Sequence, residues 1–457
     1  MRKARYGARV SRVGNLSRRL GCNGRPSWLA RMLLVAFGFG PPLGCSIGSV
    51  DGEQTSGGDE TSTSTSAITS DVAHILDFRF SGEVLGPRNV DARNAVVSQL
   101  MFMQGILTTA GHGNAQVRNA KIETVRVTDV GDKKRIEYEV SLPVAWPKDV
   151  DEPETYGIAL PLDVSKLDTF AQKYDGRCGM ARYGKKNYWH DFDPKSQRCT
   201  FDEADVLRRR VDVTPHQDET KGKYPEYDLL WEDDRLDAVV IFGIIESKDK
   251  RDDYGYTEAQ KFIQSTKQRI PRAKSESHQA SASILADATV TGSIRVHGRP
   301  RDVKVDVLVV YKLDRVGPDF DQRYDALTEG ADIIIYNGHT DSGEGINELA
   351  QKGKVTKGKY QLFAVNGCQS FALLDTTMTD RRREINGEDE DPNGTQYLDV
   401  IANALPGHAD TLASISSAIL DAALSPDAPK DYNTLLSKMP ESNIAVVFGE
   451  EDNRFKP

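Results

Sequence analysis

Two side chains of this chain could carry nucleophilic chemistry together: the thiol of Cys368 and the imidazole of His339, 29 residues upstream. A thiolate is a strong nucleophile. A histidine within reach can take a thiol's proton or hand one to a leaving amine. Each residue stands just past an apolar run. Ile333-Ile334-Ile335-Tyr336 leads into Asn337-Gly338-His339-Thr340, and Tyr360-Gln361-Leu362-Phe363-Ala364-Val365 leads into Asn366-Gly367-Cys368-Gln369-Ser370. Continuous apolar runs of this length suit strands buried on both faces, the parallel α/β case. Between them Ile346, Leu349 and Ala350 are spaced like one face of a short helix. The unit reads as strand, helix, strand, with both residues at the carboxyl edge, where open parallel sheets bind ligands. A right-handed crossover sets the two strands side by side or one strand apart. Each Asn-Gly pair lets the backbone turn sharply as its strand ends. A free cysteine alone often just packs, and a lone histidine often just bonds a loop. Their joint placement at one edge singles them out. A nearby imidazolium would lower the thiol pKa and make Cys368 more reactive than a free cysteine.

These strand ends resemble those of the caspase-like cysteine peptidases: caspases, legumains, gingipains, clostripain and separase. In that family the histidine follows one core strand and the nucleophilic cysteine follows the next. Gly338-His339 after Ile333–Tyr336, and Cys368-Gln369-Ser370 after Leu362–Val365, carry the resemblance, which spans about residues 237–448. It implies a mostly parallel sheet flanked by helices and a peptide or protein substrate. Cys368 would attack the scissile carbonyl, with His339 as its base and amides at Gly338, Thr340, Gly367 and Cys368 binding the oxyanion. No cofactor or metal is called for. Thr340 stands where the family has a glycine, and 29 residues is short against the roughly 50 of caspases.

Two other classes stay open. One is a catalytically inactive caspase-like protein that only binds a partner, which the His339-Thr340 departure favours. The other is a metal-dependent hydrolase, because Gly338-His339-Thr340-Asp341 resembles the metal-binding segment of zinc aminopeptidases and deacetylases. The further acidic ligands that such a site needs are not found at later strand ends. Cys178, His190 and Cys199 match no standard zinc spacing. In an exported chain they suggest a Cys178–Cys199 disulfide instead, one that stabilises by roughly 3 kcal/mol on the chain-entropy estimate. His297-Gly298 superficially matches a catalytic pair but lies in a hairpin turn.

The elements that must position the pair follow from the rest of the chain. Of its 457 residues 28% are charged and 38% hydrophobic, as in a soluble globular protein with a proper core. Residues 1–44 hold nine basic side chains and no acid, so a whole-chain charge of −9 leaves −18 on the remainder. So acidic a chain repels nucleic acid and anionic membrane surfaces. The basic start, the apolar run Met32–Gly40 and Leu43-Gly44-Cys45 read as a signal peptide. The last three residues resemble a bacterial lipobox, in which Cys45 is lipidated and the product is anchored in the cell envelope, at the outer membrane or surface. Residues 45–70 are rich in Ser, Thr and Gly and read as a tether.

A small α+β domain is expected over 71–233. Its parts are a strand at His74–Phe80, a helix over Val90–Leu107 opened by Asp91, a hairpin about Gly131-Asp132, a strand at Tyr156–Leu162 and a helix at Leu167–Phe170. Residues 234–457 are expected to form the α/β domain, with five or six strands. Its elements are a strand at Leu236–Gly243, a helix opened by the capping box at Thr257, and a polar loop over Arg272–Ala282. A hairpin of Ala288–Val296 with Val303–Leu313 follows, then a helix at Phe320–Leu327 and the dyad unit. After Cys368 a solvated loop is expected to carry Arg381–Arg383 and Glu388–Asp391. Helices at Leu398–Leu405 and Leu412–Leu424 and a last strand at Ile444–Phe448 complete the chain.

Overall fold

Alternation decides the first half of the fold. A computed structural model describes residues 67–179, 188–217, 221–246, 251–340, 343–440 and 444–457. The expected signal peptide, Cys45 and most of the expected tether lie outside them. β1 (Ile68–Thr69) is followed by β2 (Ala73–Pro87), α1 (Ala92–Leu100), α2 (Phe102–Thr109), β3 (Asn114–Ala115) and β4 (Lys121–Val130). Then come β5 (Lys133–Pro147), β6 (Thr155–Pro161), α3 (Leu167–Tyr174) and β7 (Val206–Pro215). On β5, Ile136, Tyr138, Val140, Leu142 and Val144 are buried at every second position, the signature of a sheet with one wet face. The strands form an antiparallel sheet in the order β3-β5-β2-β7-β6, with β4 also on β5. Asp91 caps α1 as expected, accepting from the Asn94 amide at 3.0 Å. Cys178 and Cys199 are joined in a disulfide, Cα–Cα 4.7 Å.

The second half is built on apolar runs. Its elements are α4 (Tyr227–Leu230), β8 (Arg235–Gly243), α5 (Tyr254–Arg269), β9 (Lys274–His278), β10 (Ile284–Val296), β11 (Arg299–Val310) and α6 (Pro318–Thr328). They continue as β12 (Ile333–Gly338), α7 (Glu344–Gln351), β13 (Gln361–Gly367), α8 (Ser370–Leu373), α9 (Thr377–Asn386), β14 (Leu398–Asn403), α10 (Leu412–Ala423), α11 (Tyr432–Leu436) and β15 (Ala445–Phe448). The sheet has nine strands in the order β1-β15-β14-β13-β12-β8-β11-β10-β9. The five from β14 to β11 are parallel; β15 and β10 join them antiparallel.

Neighbouring residues of each central strand face opposite cores. Ile334, Tyr336, Phe363 and Val365 meet α6 and α7 in one core, which continues into the first sheet. Ile333, Ile335, Leu362 and Ala364 meet α5, α10 and α11 in the other. The class is thus mixed α/β, a large mixed sheet flanked by helices.

Several expectations need correction. Leu398–Leu405 is a strand, not a helix, because it is buried on both faces beside β13. Helix α5 begins earlier than the Thr257 capping box, with Asp253 as its cap. The supposed loop Arg272–Ala282 contains the exposed edge strand β9. Arg381–Arg383 lie on α9, and buried Arg382 binds the Gln361 side chain. Asp391, assigned to solvent, is fully buried and accepts from Asn386 and the Gln396 amide. The tether's last residues are not free either: Ile68 and Thr69 pair with β15, and the Ser70 hydroxyl donates to the Ala445 carbonyl.

Candidate active site

Strands β12 and β13 lie side by side, in parallel register from Ile333↔Leu362 to Gly338↔Gly367. His339 and Cys368 are therefore the next residues on two neighbouring strands about 4.8 Å apart. Both are partly buried at the carboxyl edge. The close fit at these ends explains the glycines. A Cβ on Gly338 would sit 2.7 Å from the Tyr336 hydroxyl, and its φ of 158° suits glycine. One on Gly367 would meet the Thr340 methyl at 2.6 Å and the Gly338 carbonyl at 2.8 Å. Thr340 takes a bridging role: its hydroxyl donates to the Cys368 carbonyl at 2.7 Å, tying the two strand ends together. The Tyr336 hydroxyl donates to the His339 carbonyl at 2.7 Å.

The imidazole is oriented from the other side. Nε2 of His339 lies 2.9 Å from the carbonyl of Ile245, just past the end of β8. A carbonyl only accepts, so Nε2 carries the proton. In the neutral ring Nδ1 is then the only acceptor, a base with a fixed identity. The thiol differs from the expectation of an acidified nucleophile. Burial pushes the Cys368 pKa up from the ordinary thiol value, and no charge from His339 offsets it. Its Sγ is 3.9 Å from the Gly407 carbonyl, a weak donor contact. The resting pair is a neutral thiol and an imidazole bonded elsewhere, at adjacent strand ends but not to each other.

Beneath the pair runs a row of buried amides, two of them, Asn337 and Asn366, from the Asn-Gly pairs expected to turn the backbone. Asn366 Nδ2 donates to Asn337 Oδ1 at 2.7 Å, and Asn403 Nδ2 donates to Asn366 Oδ1 at 2.8 Å. The Ser416 hydroxyl adds a bond to Asn337 Oδ1 at 3.0 Å. The row joins β12, β13, β14 and α10 with neutral groups only.

Three further features escaped the sequence. Gln369, directly after the cysteine, is buried with φ 54°, and its side chain reaches Thr108 of α2 at 3.2 Å. The loop after β14, which brings Gly407 to the thiol, was hidden by the helical reading of Leu398–Leu405. Asp253 organises the Ile245 turn. Nδ1 of His190 lies 3.3 Å from its neighbour Asp191, and His297 sits in the β10–β11 turn with φ 48°. Among the described residues no three His, Cys, Asp or Glu side chains form a group able to hold a metal ion. No described helix is long and apolar enough to cross a membrane.

No family model matches the chain, and no curated protein matches it either.

Proposed function

We propose that this chain is a cysteine endopeptidase of the caspase-like fold, with Cys368 as nucleophile and His339 as base, exported and lipid-anchored through Cys45. The observation that carries the reading is the register Gly338↔Gly367, beyond which the two residues follow on adjacent parallel strands. The fixed tautomer of His339 supports it, because a ring with its Nε2 proton held on the Ile245 carbonyl can accept at Nδ1.

The chemistry starts from neutral partners. As a peptide carbonyl enters the edge, Nδ1 takes the thiol proton and Sγ bonds to the carbonyl carbon. Collapse of the tetrahedral intermediate breaks the C–N bond, and the imidazolium returns its proton to the leaving amine. Water, deprotonated by the same nitrogen, then hydrolyses the thioester and frees Cys368. Amides at Thr340 and Cys368 would bind the oxyanion. Gly338 and Gly367 serve the close approach of the strands. Burial holds the resting thiol protonated, so its proton leaves only when the imidazole comes within reach of the sulfur.

The test is cleavage of a mixed peptide library by wild type, Cys368→Ala and His339→Ala, with and without chelator. Chelator-insensitive cleavage lost in both variants supports the proposal; cleavage retained in Cys368→Ala contradicts it. The second reading, a binding-only protein, is favoured by the thiol's contact with Gly407 in place of the imidazole. It predicts partner capture without cleavage. Fatty-acid labelling of wild type, lost in Cys45→Ala, tests the anchor.

A further inference from the structure

The turn after β8 is held by one carboxylate. Asp253 is buried, caps α5 and receives the Gly255 amide on Oδ1 at 2.7 Å. Its reach extends beyond the helix. The Ile245 amide donates to Oδ1 at 2.9 Å and to Oδ2 at 3.1 Å, and the Glu246 amide donates to Oδ2 at 2.5 Å. Both carboxylate oxygens are therefore committed, Oδ1 to the helix start and the turn, Oδ2 to the turn. The corner is tight as well. A Cβ on Gly255 would lie 2.1 Å from the Gly243 carbonyl, so the first turn of α5 is pressed against the end of β8. Ile245 is fixed at its amide by Asp253 and presents its carbonyl to His339 Nε2.

We propose that Asp253 is a positioning residue for His339: by clamping the Ile245 and Glu246 amides it aims the Ile245 carbonyl at Nε2 and fixes the imidazole with Nδ1 as its acceptor. The catalytic consequence rests on the Cys/His reading above; the clamp itself does not. Helix capping alone does not need it. Asparagine caps a helix about as well as aspartate, but it has one acceptor oxygen. In Asp253→Asn that oxygen can keep Gly255, while an NH₂ group would meet the Glu246 amide, donor against donor. A pure cap and a clamp therefore respond differently to the same substitution.

The experiment uses the full chain with ¹⁵N-histidine, comparing wild type, Asp253→Asn and Asp253→Ser by thermal unfolding, imidazole ¹⁵N–¹H correlation spectra and peptidase kinetics. Wild-type His339 should show the pattern of an Nε2–H tautomer. Asp253→Asn should melt within about 2 °C of wild type, since the cap survives, yet show averaged tautomers at His339. Its kcat should fall about 10²-fold, the scale of a misplaced catalytic group, with KM within about twofold. Asp253→Ser, a cap too short to reach Glu246, should behave likewise if Asp253→Asn folds poorly. A wild-type His339 pattern in both variants overturns the proposal. So does a wild-type His339 that is not the Nε2–H form. Tautomer loss in variants of a chain without any peptidase activity would uphold the clamp and refute the proposed function.

Discussion

Beneath the reactive pair, at the carboxyl edge of the large sheet, lies a row of buried amides and a hydroxyl; at the amino edge two buried acids stand out. Asn337, Asn366, Asn403 and Ser416 bond one another at the first edge and carry no charge. At the other, Asp332 precedes β12 and Asp399 opens β14, and burial pushes each up to about 7. Lys359, 2.7 Å from Asp332, only partly opposes that shift. Asp399 concentrates its donors on one oxygen, Tyr360 at 2.5 Å and Asn453 at 2.6 Å, with Tyr432 beside them. The contrast separates two jobs. Carboxylates under Cys368 would raise the cost of a thiolate further and trap His339 as its cation. Amides give the same hydrogen-bond order without a field. Asp332 and Asp399, kept at the far edge, make stability rather than chemistry depend on pH.

Removing either member of the pair should break the carboxyl edge most deeply. Cys368→Ala and His339→Ala should each lower peptidase turnover about 10³-fold or more, roughly 4 kcal/mol of barrier, with little change in melting temperature. Importing the chemistry of the acid edge comes next. Asn366→Asp places an unpaired charge inside the amide row and should cost on the order of 3 kcal/mol at pH 7. Chemical denaturation should show that loss shrinking toward pH 4, where the buried acid folds protonated.

The reverse substitution sharpens the contrast from the other side. Because the folded-state pKa of Asp399 is raised, the native chain holds a proton that the unfolded chain releases between about pH 4 and 7. Wild-type stability should therefore fall as pH rises through that window, and Asp399→Asn should flatten the fall by on the order of 2 kcal/mol; an unchanged slope would remove Asp399 from the account. The smallest effect concerns the resting thiol. At pH 7.5 iodoacetamide should label Cys368 several-fold more slowly than an accessible free thiol, the rate climbing as pH passes the ordinary thiol range. Faster labelling would restore the imidazolium-activated nucleophile.

The strand–helix–strand unit was legible because runs such as Ile333–Tyr336 allow little else and because both reactive residues stop them at one edge. The same logic failed at Leu398–Leu405, where a mostly apolar stretch of eight, interrupted by Asp399 and Asn403, suits a buried strand and a helix alike. Burial beside β13 decides, and it is not local in sequence. The asparagines were misread for a similar reason. Asn-Gly is a turn signal in isolation, but the partners that make Asn337 and Asn366 a row come from β14 and α10. Asp253 was invisible because Thr257-Glu258 offered a plausible cap, while Glu258 is buried and accepts from the Ala413 amide at 3.0 Å. The thiol's raised pKa depends on burial, which is not local in sequence.

The central claim, that Cys368 and His339 work as one pair, is tested most directly by a peptidyl electrophile that reacts only with an activated cysteine. After incubation with native protein, mass spectrometry should find the probe on Cys368 alone. His339→Ala should abolish that adduct, while its denatured Cys368 still alkylates normally. Equal labelling of wild type and His339→Ala, or no adduct on native Cys368 across a library of such probes, would contradict the pair.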